Sequence, residues 1–226
     1  MRSDTPPASD AARRVFLRRG YHGTSLDLVA DEAGFTKGAV YARFTSKADL
    51  LLVLADERFT ERVQEMEALG AASHGTAELG AAIGRKWDTK LRVDQEWSLL
   101  LIEFRVHAAR DAALNRRYGA LHTKLRDGLA ATIAREANQN GESLSTPPAS
   151  IARAALALAT GSVLERVAEG GTFPADVTQR MNRALLRGLR TAGEATSPRS
   201  KSARGAPTPN EMARQARANR GASLPA

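Results

Sequence analysis

The chain has 226 residues, 42% of them hydrophobic, enough for one large or two small domains with a sizeable apolar core. It contains no cysteine, which excludes disulfides, thiolate metal sites and thiol redox chemistry within the chain, and apolar runs such as the one from Leu50 are too short to span a bilayer. The formal charge of +8 invites a nucleic-acid reading, yet residues 194–226 hold six basic side chains against two acidic ones while residues 1–50 hold eight against six, so any such argument has to rest on placement rather than total charge.

In chain order, residues 1–8 are polar, proline-containing and aperiodic, and read as a disordered arm. Ser9 or Asp10 starts a first helix with Ala12, Val15 and Phe16 inward and Arg13, Arg14, Arg18 and Arg19 mostly outward; Gly20 stops it. The stretch TSLDLVADEAGFTKGAVYARF, from Thr24 to Phe44, then has the pattern of two short helices joined by a tight turn. Thr24 or Ser25 can cap the first, with Asp27 placed to reach back to a free backbone N–H. Leu26, Val29, Ala30 and Ala33 recur at three- and four-residue spacing, and Gly34 can take the positive φ that closes a helix. Thr36 can cap the second helix, leaving Val40 and Phe44 inward and Lys37, Gly38, Ala39, Tyr41 and Arg43 outward. Small residues at the start of an outward face let a backbone approach another surface, and Thr, Lys and Tyr can hydrogen-bond phosphates and base edges. The stretch therefore reads as a helix-turn-helix reader, although short amphipathic helix pairs also occur as plain structure.

Ser46 and Asp49 make a capping box for the next helix. Lys47 sits in its first turn, where the helix dipole favours negative charge, so a bound phosphate would resolve the conflict. From Thr24 to Leu50 the segments TS, VA, AGFTKGAVY, F and SK, in register, resemble the DNA-binding domain of the TetR family of bacterial transcriptional regulators. The resemblance implies a three-helix DNA-binding domain over 9–55 with its reader at about 25–44. It also implies DNA contacts from Ser25, Thr36, Lys37, Gly38, Ala39 and Tyr41, and a phosphate contact at Lys47. Family members usually carry larger apolar residues where Ala8, Ser9 and Arg13 stand, which leaves the start of the first helix less firmly anchored.

Leu50, Leu51, Leu54, Phe59, Val63, Met66 and Leu69 mark a long amphipathic helix ending near Gly70. After a Gly/Ala/Ser/His linker, Leu79, Ala82, Ile83 and Trp87 mark another. Trp97, Leu100, Leu101, Phe104 and Ala108 share a face of the next, with His107 at its edge. Asp111 starts a longer helix with Leu114, Tyr118, Leu121, Leu125 and Leu129 inward. Together these elements look like an antiparallel layer around a cavity. The resemblance places a small effector there, which makes Trp87, Trp97, Leu101, Phe104 and His107 the candidate pocket residues; aromatics at helical spacing serve equally as ordinary core. Glu103 and His107 lie four apart, but without a third ligand nearby they imply no metal site.

Two further helices follow, 151–169 and 175–191. Small and apolar positions on them, including Ala155, Leu158, Ser162, Val177, Met181, Ala184 and Leu185, exceed what one packing partner each requires. The resemblance makes the pair a four-helix dimer interface through Ala155, Leu158, Ser162, Met181 and Leu185; packing within one chain is the alternative. Residues 194–226 are rich in Ser, Pro, Arg and Gly without periodicity and read as a disordered basic tail.

The expected protein is all-α, with the DNA-binding domain followed by a helical effector-binding and dimerisation domain over 56–193. It is expected to be a cytoplasmic homodimer, not membrane-bound, that binds double-stranded DNA at a near-palindromic operator. It is expected to act as a repressor released by a small-molecule effector of unknown identity. A DNA-packaging protein without sequence preference is the competing reading. The four histidines are scattered and no nucleophile–base pair or Gly-rich phosphate loop is evident, so neither an enzyme, a cofactor nor a metal is implied.

Overall fold

The computed structural model describes residues 7–189, and these form α-helices with no β-strand element. The expectations for residues 1–6 and for the tail from 194 lie outside the described residues. Helix α1 (Pro7–Arg19) begins two residues ahead of its expected start, because a proline lacks only an N–H that has no partner in a first turn anyway. Helices α2 (Leu26–Ala33) and α3 (Lys37–Tyr41) follow, capped by Ser25 and Thr36. Ser25 accepts the N–H of Leu28, and Gly34 closes α2 at φ +67° with its own N–H turned back onto the Ala30 and Asp31 carbonyls. Asp27 does not form the expected reciprocal cap; it crosses to α3 and takes Lys37. Val15, Phe16, Leu26, Val29, Val40, Phe44 and Leu50 close one buried core among α1, α2, α3 and the start of α4.

Helix α4 (Lys47–Ala71), capped by Ser46, runs from beneath the reader into the rest of the molecule, so the expected division between residues 55 and 56 falls inside a continuous helix. It packs along α7 (Ala112–Gln139). Asp49 pairs with Arg117, Asp56 with Lys124 and Glu67 with Arg135; this constant spacing of 68 residues means that the two helices run parallel. Each exposed pair contributes little, about 0–1 kcal/mol, and together they record the register.

Helices α5 (Thr76–Val93), α6 (Gln95–Ala108) and α8 (Pro148–Glu169) complete the larger body with α9 (Val177–Gly188), which follows a short 3-10 turn at Gly170–Thr172. Helix α9 lies against α5 so closely that a Cβ on Gly84 would sit 2.3 Å from the Gln179 Cα, a distance that only glycine permits. Asp88, buried on α5, accepts the N–H groups of Thr178 and Gln179 at 3.3 and 3.0 Å and so caps α9 from another helix. The inward face of α9 is consequently Thr178, Asn182 and Leu186. Met181, expected on the outer face of this helix, is 47% exposed. Asn182 tolerates burial because its side chain donates to the Thr178 carbonyl at 2.9 Å.

Candidate functional site

Thr36, Lys37, Gly38, Ala39 and Tyr41 all stand on the open side of α3, while Val40 and Phe44 are buried beneath them. A Cβ at Gly38 would meet nothing within 4 Å, so that side of the helix is flat and unobstructed. Asp27 holds Lys37, which donates to it at 2.7 Å, in place. Lys37 pulls the Asp27 carboxyl below its usual range, and Asp27 in return raises both Lys37 and Tyr41. Ser25, exposed at the N-terminus of α2, completes the same surface. Arg14 and Arg18 of α1 are both paired with Glu32.

Lys47 departs from expectation. Its ammonium donates to the carbonyls of Tyr21, His22 and Thr24 at 2.8, 3.1 and 3.0 Å and lies 4.7 Å from the Tyr21 ring centre. These carbonyls satisfy the positive charge that the helix dipole disfavours, so no phosphate is needed to do so. Burial pushes the Lys47 ammonium down from its usual range. Lys47 thus secures the turn before α2, and its three donors are already engaged. The same turn is held from the other side by Glu103 of α6, which accepts the Tyr21 and His22 N–H groups at 3.1 and 3.3 Å.

A chamber, partly open to solvent, lies among α4, α5, α6, α7 and α8. Of the five candidate pocket residues, Trp87, Trp97 and Leu101 line it. Phe104 and His107 do not. Phe104 is fully buried with its ring against Tyr21 and Tyr118, and His107 packs on Tyr21 and His22. Both belong to the joint between the reader and the body. The sequence reading missed Phe59, Arg58 and Arg62 on α4 and Tyr118 and His122 on α7, which line the chamber. Their four-residue spacings, 58 to 62 and 118 to 122, were the available signal. Arg58 is engaged by Glu61 and Asp94. Arg62 has no hydrogen-bond or ion-pair partner among the described residues; burial, then the neighbouring Arg58, lowers its proton affinity. Trp97 is shared between two regions, because the Arg13 guanidinium of α1 lies 5.5 Å from its ring. Among the described residues no three His, Cys, Asp or Glu side chains are grouped to hold a metal, and no helix is long and apolar enough to cross a membrane.

Residues 9–54 match the family model described as bacterial regulatory proteins, tetR family. Residues 80–191 match the C-terminal model of the BetI-type transcriptional repressor. The chain belongs to the TetR family. Among named relatives of this TetR-family chain, the HTH-type transcriptional activator FasR of Mycolicibacterium smegmatis is 34% identical over 79 residues, 34% of this chain and 36% of that protein. The HTH-type transcriptional regulator TtgR of Pseudomonas putida is 37% identical over 70 residues, 27% of this chain and 33% of that protein. These matches therefore span about a third of each relative's length. In fold, the chain is similar to FadR of Bacillus subtilis in complex with stearoyl-CoA, at a TM-score of 0.68 and 18% identity over 81% of this chain and 98% of that one.

The residues expected at a TetR-family dimer face divide into two groups. Ala155 and Ser162 are buried within the chain itself, since α8 turns them toward its own neighbours, and they cannot also form an outer surface. Leu158 and Leu185 are half-buried and Met181 is exposed, together with Leu164 and Val167. An apolar surface on α8 and α9, to which Leu158, Met181 and Leu185 of the expected face belong, therefore remains uncovered in the single chain.

Proposed function

We propose that this TetR-family chain is a homodimeric, sequence-specific DNA-binding transcriptional repressor that a small, mainly apolar effector releases from a near-palindromic operator. Thr36, Gly38 and Ala39 approach base edges, while Ser25, Lys37 and Tyr41 contact the backbone. Leu158, Met181 and Leu185, with Leu164 and Val167, meet their copies across a two-fold axis. Two such heads engage half-sites about 34 Å or a multiple apart.

The observation that carries this reading is the shared wall. Helix α4 brings Arg58, Phe59 and Arg62 to the chamber and is capped by Ser46 beneath the reader, and Trp97 lines the chamber while holding Arg13 of α1. An occupant that moves α4 or Trp97 moves the reader with it. The apolar walls suit an aromatic molecule or an acyl chain, of which the stearoyl-CoA held by the Bacillus neighbour is one example. Such a molecule must favour one head spacing over the other, and operator DNA must then weaken its binding by the same factor.

The test is to recover the DNA that the protein retains from a random pool and to measure operator affinity with and without effector. An inverted repeat bound about 10³-fold or more above random DNA supports the reading. Even affinity across sequences would establish the packaging alternative instead, and an effector that binds equally well with and without operator would remove the release step.

A further inference from the structure

At the mouth of the chamber a second hollow opens, lined by Arg105 of α6, His122 and Arg126 of α7, and Arg153 of α8. Leu156, Ala157 and Thr160 complete its wall, and no acidic side chain lines it. Arg126 is drawn to Asp127 beside it, whereas neither Arg105 nor Arg153 has a hydrogen-bond or ion-pair partner among the described residues. The charge is felt within the hollow: burial, then Arg105 and Arg126, holds the His122 imidazole below its usual range. Arg105, His122, Leu156 and Thr160 line this hollow and the apolar chamber alike, so the two spaces adjoin. Arg guanidinium groups on three different helices, converging without a carboxylate, present donor forks suited to a phosphate or carboxylate.

We propose that Arg105, Arg126, Arg153 and His122 form an anion subsite, so that the effector is an amphiphile whose apolar body fills the chamber and whose anionic head rests on these side chains. This rests on the effector reading above. Phosphate and carboxylate heads share the required chemistry, and the apolar wall at Leu156 and Ala157 marks where head gives way to chain. Arg62, farther along the chamber on α4, is left to line the path of the chain rather than to bind its head.

Trp87 and Trp97 line the chamber, so intrinsic fluorescence of the full chain reports its occupation. The probes are decyl phosphate, decanoate and decanol, which share one chain and differ in the head, with inorganic phosphate as competitor. Wild-type protein should bind at least one anionic probe about 10-fold or more tightly than decanol, the range expected of charged hydrogen bonds. Arg105→Ala combined with Arg153→Ala should bring the three probes within about 3-fold of one another without weakening decanol. Lysine at both positions should restore part of the preference, since it keeps the charge and loses the fork. A preference for decyl phosphate over decanoate assigns the head as a phosphate, the reverse as a carboxylate, and either supports the subsite. Equal binding of all three probes to wild type, or an equal loss of all three in the double variant, overturns the subsite and leaves the chamber standing. Binding of none of the three removes the chamber reading and the subsite with it.

Discussion

The reader surface and the chamber mouth are both basic, and they handle charge in opposite ways. On the reader side Lys37 is paired with Asp27, and Arg14 and Arg18 with Glu32; at the mouth Arg105 and Arg153 stand unpaired over a hollow without acids. The difference follows from the size of the partner. Duplex DNA carries one charge per about 1.7 Å of axis and gains from counterion release, so it can displace solvent-exposed pairs worth about 1 kcal/mol or less. A small anion brings one or two charges and has no such reserve. Self-neutralisation also restrains the free protein from holding DNA indiscriminately.

The strongest way to break the comparison is to deny DNA access while leaving the charges alone. Gly38→Leu fills open space in the free protein, so thermal stability should shift by less than about 1 kcal/mol. Operator affinity should fall by about 100-fold as the side chain holds α3 away from the base edges. Unchanged affinity in an anisotropy titration would mean that α3 does not enter the groove.

Lys47 tests whether all reader cations belong to DNA. Lys47→Met should leave the carbonyls of Tyr21, His22 and Thr24 without their donor and destabilise the protein by about 1–2 kcal/mol in denaturant unfolding. The salt dependence of random-DNA binding should stay the same. A slope smaller by about one unit would return Lys47 to the phosphate backbone.

Asp27→Asn sharpens the comparison by making the reader resemble the mouth. With its partner neutral, Lys37 is free to meet a phosphate, and affinity for random DNA should rise about 3- to 10-fold at low salt. The gain should fade as salt increases and vanish in the double variant with Lys37→Ala. A rise that persists in the double variant would deny Lys37 that role.

These two regions also differ in how far the sequence reveals them. Ser25, Thr36, Gly34 and Ser46 act within four residues of the backbone groups they satisfy, so local pattern was enough to place α2, α3 and the start of α4. The body is fixed by partners distant in sequence. Asp88 caps a helix 90 residues away, and the Gly84 contact with Gln179 decides which side of α9 faces inward; neither leaves a periodic trace. Apolar periodicity on α9 pointed to Met181 and Leu185, a side left open in the single chain. The chamber was half legible for a related reason. Its aromatic lining at Trp87 and Trp97 stood out, whereas Arg58, Arg62 and His122 look from sequence like members of a solvated face.

The smallest expected effect concerns pH at the mouth. His122 is held below the usual histidine range by burial and by Arg105 and Arg126, with Arg153 of α8 facing the same hollow and Tyr118 beside it on α7 pushed upward and so neutral. In the unfolded chain the imidazole titrates near about 6.5. Between that value and the lower folded one the unfolded state binds more protons, so the stabilising contribution of a neutral His122 is complete above pH 6.5 and is lost as pH falls through this window. Substituting His122→Gln should flatten that part of the pH profile relative to wild type. An anion in the subsite reverses the local field and favours the charged imidazole. Decane-1-sulfonate does not titrate in this range, so any pH dependence of its binding belongs to the protein. Its affinity for wild type should rise as pH falls from 7.5 to 5.5, while that for His122→Gln should rise less. Parallel profiles for the two proteins in a fluorescence titration would place His122 outside the subsite, with Arg105 and Arg153 left to hold the anion.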